Sequence, residues 1–323
     1  MDPYKMVIAC TNQKGGCSKT TTAVNLATVL AEGNPKMGIP PRKVLLVDLD
    51  PQGNASTSFG IDKSKINRTV YDLLMNDLGE ELPVLEEYLC HPEFISDQIR
   101  ATWTSLYPDK KFPKKLKVNN LWLLPSNIQL SGAEIELATR IGRETRLKEG
   151  LAGAVEEFDY IIIDTPPSLG LLTINALAAA NWILIPVQTE FYALEGMSSL
   201  MNSIKLVQRR INPNLKLFGI ALTMYDARTG LSKFVADEVR KYFEDQVFHT
   251  MVPRSTRVAE APRDGAPITL LDNPHVRGPK RNKGSKAYWS LGREVHRRVL
   301  KIREKYGITE KSRLQLSKIS AGD

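Results

Sequence analysis

Eight consecutive residues have the side chains and the spacing of a phosphate-binding loop: Lys14-Gly15-Gly16-Cys17-Ser18-Lys19-Thr20-Thr21. An apolar run ending at Cys10 precedes them, and a helix-forming stretch follows. A glycine-containing loop between a strand and a helix turns backbone N–H groups into a concave nest, and the helix start adds partial positive charge. Lys19 can reach terminal phosphates, and the Thr20 hydroxyl can hold Mg²⁺. The segment therefore predicts a site for a polyphosphate and magnesium.

The loop differs from the standard P-loop pattern. In G-x-x-x-x-G-K-[ST] the two glycines would fall at Gln13 and Ser18, so only Lys19 and Thr20 match. What remains is KGGxxKT with an additional lysine, Lys14, at its front. The alternative is a glycine-rich turn with no ligand, which the flanking strand and helix patterns disfavour.

Three aspartates follow apolar runs. Asp48 and Asp50 come after the run that begins at Val44, and Asp164 ends the run that begins at Tyr160. Any one of them could be a helix N-cap. Mg²⁺ prefers oxygen ligands and keeps several waters. We therefore expect Asp164 to hold the metal through water beside Thr20, and Asp50 to orient or activate an attacking water.

The elements that must position these residues alternate between strands and helices. Buried strands are predicted at 43–48, 160–164, 182–187 and 217–223, with shorter candidates at 121–125 and 247–253, and helices at 134–154, 197–211 and 232–244. This alternation predicts an α/β fold with a doubly wound, mostly parallel sheet and helices on both faces. Ligands in such sheets bind at the carboxyl ends of the strands.

A length of 323 residues fits one α/β domain with insertions or two small domains, and we expect a single domain over residues 1–323. Proline and lysine mark residues 90–118 and 273–288 as surface loops inserted in the domain, and residues 307–323 are predicted to form a polar tail. Three cysteines without metal spacing favour a reduced, cytoplasmic setting. No apolar run approaches the ~20 residues of a membrane helix. The net charge of +8 favours anionic partners such as nucleic acid or anionic lipid.

Taken together, these motifs resemble the ParA/Soj-type partition ATPases, the deviant Walker A branch of P-loop NTPases that also includes MinD. The similar segments are residues 12–27, 44–54, 123–137, 159–175, 185–196, 222–228 and 252–261. The resemblance implies ATP hydrolysis with ATP and Mg²⁺ as cofactors. It implies that Lys14 contacts the nucleotide of a dimer partner, that Lys19 and Asp50 serve hydrolysis, and that Thr20 and Asp164 hold the metal.

The resemblance also assigns the nucleotide contacts. The loop residues Lys14 to Thr21 would surround the phosphates, and Met224 and Pro253 would frame the adenine. Ser18 departs from the pattern, because a glycine is usual there in the Soj branch. A side chain at that position could slow turnover or change the geometry of the loop.

Basic residues predict a DNA surface. Lys205, Arg209 and Arg210 fall at i, i+4 and i+5 of one predicted helix, and Lys233 begins another. Members of the resembling family bind DNA nonspecifically through these two regions, and phosphate contacts need only charge and reach. Five more cations in the 277–286 loop could extend the surface: Arg277, Lys280, Arg281, Lys283 and Lys286. The alternative is a solvated helix face.

The main hypothesis is a cytoplasmic, nucleoid-associated ATPase that dimerises with ATP, binds DNA and partitions a plasmid or chromosome with a ParB-like adaptor. A second is the positioning of a protein cargo such as a carboxysome, as by McdA. A third is a MinD-like membrane regulator, which needs a terminal amphipathic anchor. The apolar face of residues 288–306 favours a helix packed on the domain over such an anchor. A metabolic kinase is a weaker rival.

Overall fold

Six parallel strands form one sheet in the computed structural model, which describes residues 6–76, 84–114, 116–272 and 282–306. In spatial order they are β3 (Leu121–Leu124), β2 (Val44–Asp48), β4 (Tyr160–Asp164), β1 (Met6–Cys10), β5 (Trp182–Gln188) and β6 (Lys216–Thr223). The predicted α/β fold with a parallel sheet is confirmed. Because the strands are parallel, every carboxyl end lies at the same edge, where the predicted phosphate-binding loop also begins.

Helices cover both faces of the sheet, which makes it doubly wound. They are α1 (Lys19–Glu32), α2 (Asn54–Thr57), α3 (Val70–Met75), α4 (Pro92–Leu106), α5 (Ala133–Ala138), α6 (Arg146–Gly150), α7 (Ala152–Glu157), α8 (Leu171–Ala179), α9 (Ala193–Arg210), α10 (Gly230–Phe243), α11 (Thr256–Glu260), α12 (Ile268–Leu271) and α13 (Lys283–Lys305). One core contains side chains of α3 and of α5 to α10. The other contains side chains of α1, α4, α12 and α13.

The two-residue period of the strands decides which side chains enter which core. Ile161 and Ile163 of β4 belong to the core beneath α9, whereas Ile162 belongs to the core beneath α1. Cys10, Asp48 and Asp164 share the parity of Ile162 and are adjacent in the strand register. The last residues of three neighbouring strands therefore point toward the side where α1 begins.

Helix α1 lies between the sheet and α13 and is buried on nearly all sides. At its crossing with α13, a Cβ on Gly292 would come within 2.3 Å of Val29 Cγ1, so only glycine permits this approach. Val29, Ile39 and Trp289 form a small cluster beside the crossing. The apolar face predicted for residues 288–306 is thus used for packing within the chain.

Three local predictions were wrong. The predicted helix at 134–154 is broken into α5, α6 and α7, because Gly142 has a φ of 68° and Gly150 packs against Leu73. Residues 247–253 form only isolated bridges beside β6, because the bridges Ile220–Val247 and Tyr225–Pro253 differ in register by one residue and cannot join into one ladder. Residues 92–106 form a helix rather than a loop, and Pro92 is its first residue.

Of the second predicted surface loop, residues 273–281 lie outside the described residues. Residues 283–288 begin α13 instead of continuing a loop, since the Asn282 side chain accepts a hydrogen bond from the Gly284 N–H and caps the helix. The predicted polar tail, 307–323, also lies outside the described residues.

Candidate functional site

The loop between β1 and α1 has the backbone of an anion nest. Gly16 and Ser18 both lie in the left-handed region, with φ values of 73° and 69°. Alternation between left- and right-handed residues turns successive N–H groups toward one side, and the start of α1 adds its positive dipole end. Ser18 therefore adopts a backbone conformation that favours glycine. Its side chain forms no capping bond to α1.

Lys19 bends back over this loop. Its ammonium donates to the Lys14 carbonyl at 3.0 Å, and the residue is only 6% exposed. Its positive charge is thus held above the loop that presents the N–H groups. Thr20 and Thr21 follow it in the first turn of α1. This arrangement fits the predicted phosphate-contacting roles of Gly15 to Thr21.

Distant strands fix the shape of the loop. The Asn12 side chain donates to the Pro186 carbonyl at 2.7 Å and accepts from the Lys14 N–H at 3.0 Å. On the other side of the loop, the Thr223 hydroxyl donates to the Cys17 carbonyl at 3.0 Å. Burial raises the pKa of the Cys17 thiol, which keeps it protonated. The backbone of Cys17, rather than its sulfur, therefore contributes to the site.

Asp164 is buried at the carboxyl edge of the sheet, and its carboxylate lacks well-formed hydrogen bonds within the part of the chain that the structure describes. It is 0% exposed, and neither carboxylate oxygen has a hydrogen-bond partner of good geometry within the described residues. Burial, reinforced by the charge of Asp48, raises the pKa of this carboxyl well above its usual range, while the nearby Thr20 hydroxyl and Lys19 charge lower it. An unpartnered buried carboxylate is costly, and a cation would relieve that cost.

Thr20 and Asp164 therefore fit a magnesium ion. Mg²⁺ typically takes one or two protein oxygens and completes its coordination with water and phosphate. The described residues contain no cluster of three or more His, Cys, Asp or Glu that could hold a metal unaided. When bound, Mg²⁺ would neutralise the charge of the phosphates beside Lys19.

Asp48 and Asp50 have different surroundings despite their spacing. Asp48 is fully buried, and its Oδ2 accepts from the Ser56 N–H at 2.9 Å and from the Ser56 hydroxyl at 2.8 Å. Burial raises the pKa of Asp48 to about 6 against those two bonds. Asp50 is 7% exposed, and its Oδ1 accepts from the Gln52 N–H at 2.9 Å. Asp48 is thus held by the chain, which leaves Asp50 as the better candidate to contact water.

The residues predicted to frame the adenine are brought together. Tyr225, next to Met224, pairs with Pro253 in a parallel bridge, and its N–H donates to the Val252 carbonyl at 3.0 Å. Met224 has a φ of 50°, a strained value for a residue with a side chain. The backbone pairing of Tyr225 with Pro253 keeps Met224 in this strained conformation. Strained backbone of this kind is common at ligand sites.

Lys14 has a partner that the sequence did not reveal. Its ammonium lies 2.7 Å from Oε2 of Glu190, which follows β5, and both side chains are partly exposed. Next to Glu190, the rings of Phe191 and Tyr192 meet edge to face and are 69% and 68% exposed. The sequence did contain a signal for this exposed site. Two aromatic residues directly follow Glu190 just after a strand, and aromatic side chains are expected to be buried.

The predicted DNA-binding cations lie on the opposite side of the sheet from α1. Lys205, Arg209 and Arg210 are exposed on α9, and Lys233 is exposed in the first turn of α10. None of the four forms an ion pair with another described residue. Arg277, Lys280 and Arg281 lie outside the described residues. Within the described ranges, no helix is long and apolar enough to cross a membrane.

Known proteins resemble this chain over most of its length. A profile of the AAA domain matches residues 5–217. The sporulation initiation inhibitor protein Soj of Bacillus subtilis is 46% identical over 289 residues, which cover 90% of this chain and 97% of that protein. The chromosome partitioning protein ParA of Myxococcus xanthus is 44% identical over 292 residues, covering 90% and 88%. This chain belongs to the ParA/Soj family.

Solved structures share the fold of this chain. A protein of Mycobacterium smegmatis named cobyrinic acid a,c-diamide synthase, with a bound ATP analog and magnesium, is 34% identical, with a TM-score of 0.67 over 94% of this chain and 97% of that one. A Cyanothece McdA–ATP complex has the same TM-score at 19% identity, over 95% and 98%, and shows the fold alone. This chain is therefore an ATPase that uses ATP and Mg²⁺, as predicted. Its similarity to Soj and ParA shows that it is a partition ATPase.

Proposed function

We propose that this partition ATPase is an ATP-driven dimer switch that binds DNA nonspecifically and moves plasmid or chromosomal DNA with a ParB-like adaptor. ATP pairs two protomers through the edge that carries the phosphate-binding loop. The paired form binds DNA, which places it on the nucleoid. The adaptor stimulates hydrolysis, and the separated protomers release the DNA.

The observation that carries the proposal is the position of Lys14. Its ammonium is not used to build the nest, because its only described partner is the partly exposed Glu190. An exposed ion pair of this kind contributes little, about 0–1 kcal/mol, so it is easily exchanged. Lys14 is therefore free to leave Glu190 for the phosphates of a second protomer.

Exposed apolar side chains support a partner surface beside Lys14. Phe191 and Tyr192 follow the carboxyl end of β5, and the 72% exposed Ile128 follows that of β3. Ile135 is 79% exposed, and its neighbour Glu134 accepts from the Leu172 N–H at the start of α8. Apolar groups around one edge of a fold are typical of an interaction surface. Two copies joined there would cover the loop of each.

The cations of α9 and α10 support the DNA step. Lys205 and Lys233 are exposed and have no ion-pair partner among the described residues. One protomer offers few phosphate contacts, whereas a dimer offers twice as many. Because each phosphate contact releases counterions, doubling their number raises affinity steeply and makes it sensitive to salt. Dimerisation alone can thus switch DNA binding on.

The test is Lys14→Ala, measured by light scattering with ATP and Mg²⁺. We expect the variant to bind ATP nearly as tightly as the native chain but to remain a monomer and to lose hydrolysis. Lys43→Ala is the matched control, because Lys43 also pairs with a glutamate, Glu157, and has a similar exposure of 35% against 38%. The control should dimerise normally. A Lys14→Ala chain that still dimerises with ATP would contradict the proposed role of Lys14.

A further inference from the structure

A cavity beside α4 is used neither by the nucleotide site nor by the proposed function. Its volume is about 350 Å³. It is lined by Trp103 and Tyr107, from α4 and the residue after it, and by Arg257, Asp264 and Leu271, from α11, α12 and the turn between them. None of its lining residues is among those predicted to contact ATP or magnesium. We call it the α4 cavity.

The α4 side of the cavity is aromatic and held in place. The ring centroids of Trp103 and Tyr107 lie 4.6 Å apart, with 48° between the ring planes. The Tyr107 hydroxyl donates to Oδ1 of Asp264 at 3.0 Å, and Asp264 is only 2% exposed. Two buried leucines, Leu116 and Leu271, add apolar surface to the lining. Aromatic side chains fixed in this way offer a surface on which a flat ring can stack.

Two cations line the same cavity. The Lys110 ammonium lies 4.5 Å from the centroid of the Tyr107 ring, a cation–π contact that holds it beside the aromatic surface. Within the described residues it has no carboxylate partner. The Arg257 guanidinium lies 3.8 Å from Oδ2 of Asp264 and 3.4 Å from Oε2 of Glu260, and 42% of its side chain remains exposed. The cavity therefore offers N–H donors to an anion.

The charge and size of the α4 cavity favour a small aromatic anion. Lys110, Arg257 and Arg263 outnumber the carboxylates of Glu260 and Asp264, so the surroundings keep positive charge. A metal ion fits poorly, because the described residues contain no group of three or more His, Cys, Asp or Glu that could hold one. A purely apolar ligand would take the Lys110 ammonium out of water without a partner. Small-molecule sites have volumes of about 300–1,000 Å³, so about 350 Å³ suits one mononucleotide.

We propose that the α4 cavity binds a nucleoside monophosphate, separately from the ATP site. The base stacks on the surface formed by Trp103 and Tyr107, a contact that every base can make. The phosphate accepts from Lys110 and Arg257, and an arginine can give paired bonds to phosphate oxygens. A ligand bound in this way links α4 to α11. The site belongs to one protomer, so it does not rest on the proposed dimer switch.

The test is isothermal titration calorimetry of the full-length protein with two probes, GMP and CMP, which carry a purine and a pyrimidine. The protein is first saturated with ADP and Mg²⁺, so that its ATP site is occupied. We expect one molecule of at least one probe to bind per protomer with a Kd below about 1 mM. The matching nucleoside, which lacks the phosphate, should bind at least tenfold more weakly. Binding of neither probe, or displacement of the probe by ADP, would overturn the proposal.

Substitutions of the two cations locate the bound probe. The variant with Lys110→Ala and Arg257→Gln should bind it at least tenfold more weakly. The matched control carries Lys148→Ala and Arg143→Gln, because Lys148 is exposed and Arg143, like Arg257, pairs with a glutamate and has a similar exposure, 46% against 42%. The control should bind as the native chain does. Equal affinity of the two variants would mean that the probe binds elsewhere, and the proposal would fail.

Trp103→Leu tests the aromatic surface. Leucine keeps an apolar side chain but has no ring face, so affinity for the probe should fall about fivefold or more, the lower end of what stacking on an aromatic side chain contributes. Unchanged affinity would contradict the stacking and, with it, the class of ligand. Retained ATP hydrolysis and an unchanged unfolding temperature show that each variant is folded. Lys110→Ala alone and Trp103→Met replace any variant that is not.

Discussion

The carboxyl edge of the sheet and the basic faces of its helices are built in opposite ways. At the edge, Lys19 and Asp48 are buried, and hydrogen bonds of 3.0 and 2.9 Å hold their side chains in place. On the helix faces, Lys205 and Arg209 are exposed and have no ion-pair partner among the described residues. Chemistry at the edge therefore depends on the position of single atoms. The DNA binding proposed for the faces would depend on the sum of several charges, and its strength would change with salt concentration.

The comparison predicts its largest effect at Asp50. Asp50→Ala should lower ATP turnover ~10²–10⁴-fold, because it removes the candidate water-orienting carboxylate, and should leave an ATP-bound dimer. No salt concentration should restore the rate, since the loss is one of geometry. Single-turnover hydrolysis and light scattering measure both effects.

Asp48→Asn is the control for this prediction. An amide oxygen can still accept from Ser56, so this variant should keep much more of its turnover than Asp50→Ala. If Asp48→Asn is the inactive variant and Asp50→Ala turns over normally, the catalytic role belongs to Asp48 and the assignment made here is wrong.

A smaller, salt-dependent effect is expected at Lys205. Lys205→Glu should abolish ATP-dependent DNA binding at physiological salt while the ATP dimer persists, and lower salt should restore part of the binding. Arg209→Glu should weaken binding less. Anisotropy titrations across salt concentrations test both variants. Unchanged DNA affinity for Lys205→Glu would remove α9 from the proposed interface. A loss of binding that low salt cannot reverse would contradict the view that the helix faces act through summed charge.

The smallest effect is expected at Ser18. Its φ of 69° shows that the loop already has the backbone a glycine would give it. Ser18→Gly should therefore change turnover less than about twofold. It should raise the free energy of unfolding by no more than about 1 kcal/mol, since relief of left-handed strain is partly offset by the entropy of glycine. Thermal unfolding and steady-state hydrolysis measure these changes. A large gain in turnover would mean that the serine side chain itself obstructs the site.

The sequence predicted the positions of the strand-end residues well. The runs before Asp48 and Asp164 are apolar without interruption, as buried parallel strands require, so their carboxyl ends could be located to the residue. Parallel strands then bring those ends to one edge. The predicted phosphate-binding loop could also be located, because its lysines and glycines begin at Lys14, and three residues separate it from the end of the apolar run of β1.

Contacts between distant parts of the chain could not be predicted. Ser56 holds Asp48, Glu190 holds Lys14, and Pro186 fixes Asn12. Each partner is an ordinary polar or backbone group with no local pattern of its own. Helix α4 was missed for a different reason. Its proline and the lysines after it indicated a loop, although Ile95 and Ile99 have the four-residue spacing of a buried helix face.

The packing of α1 against α13 has a consequence for how the protein is made. Helix α1 is the first helix of the chain to be synthesised, and α13 follows about 250 residues later. At ~5–20 residues per second, the ribosome takes roughly 10–50 seconds to add the helix that covers Val29. The first helix is therefore among the last to be enclosed, and a chain that stops before Gly292 leaves that side of α1 exposed to water.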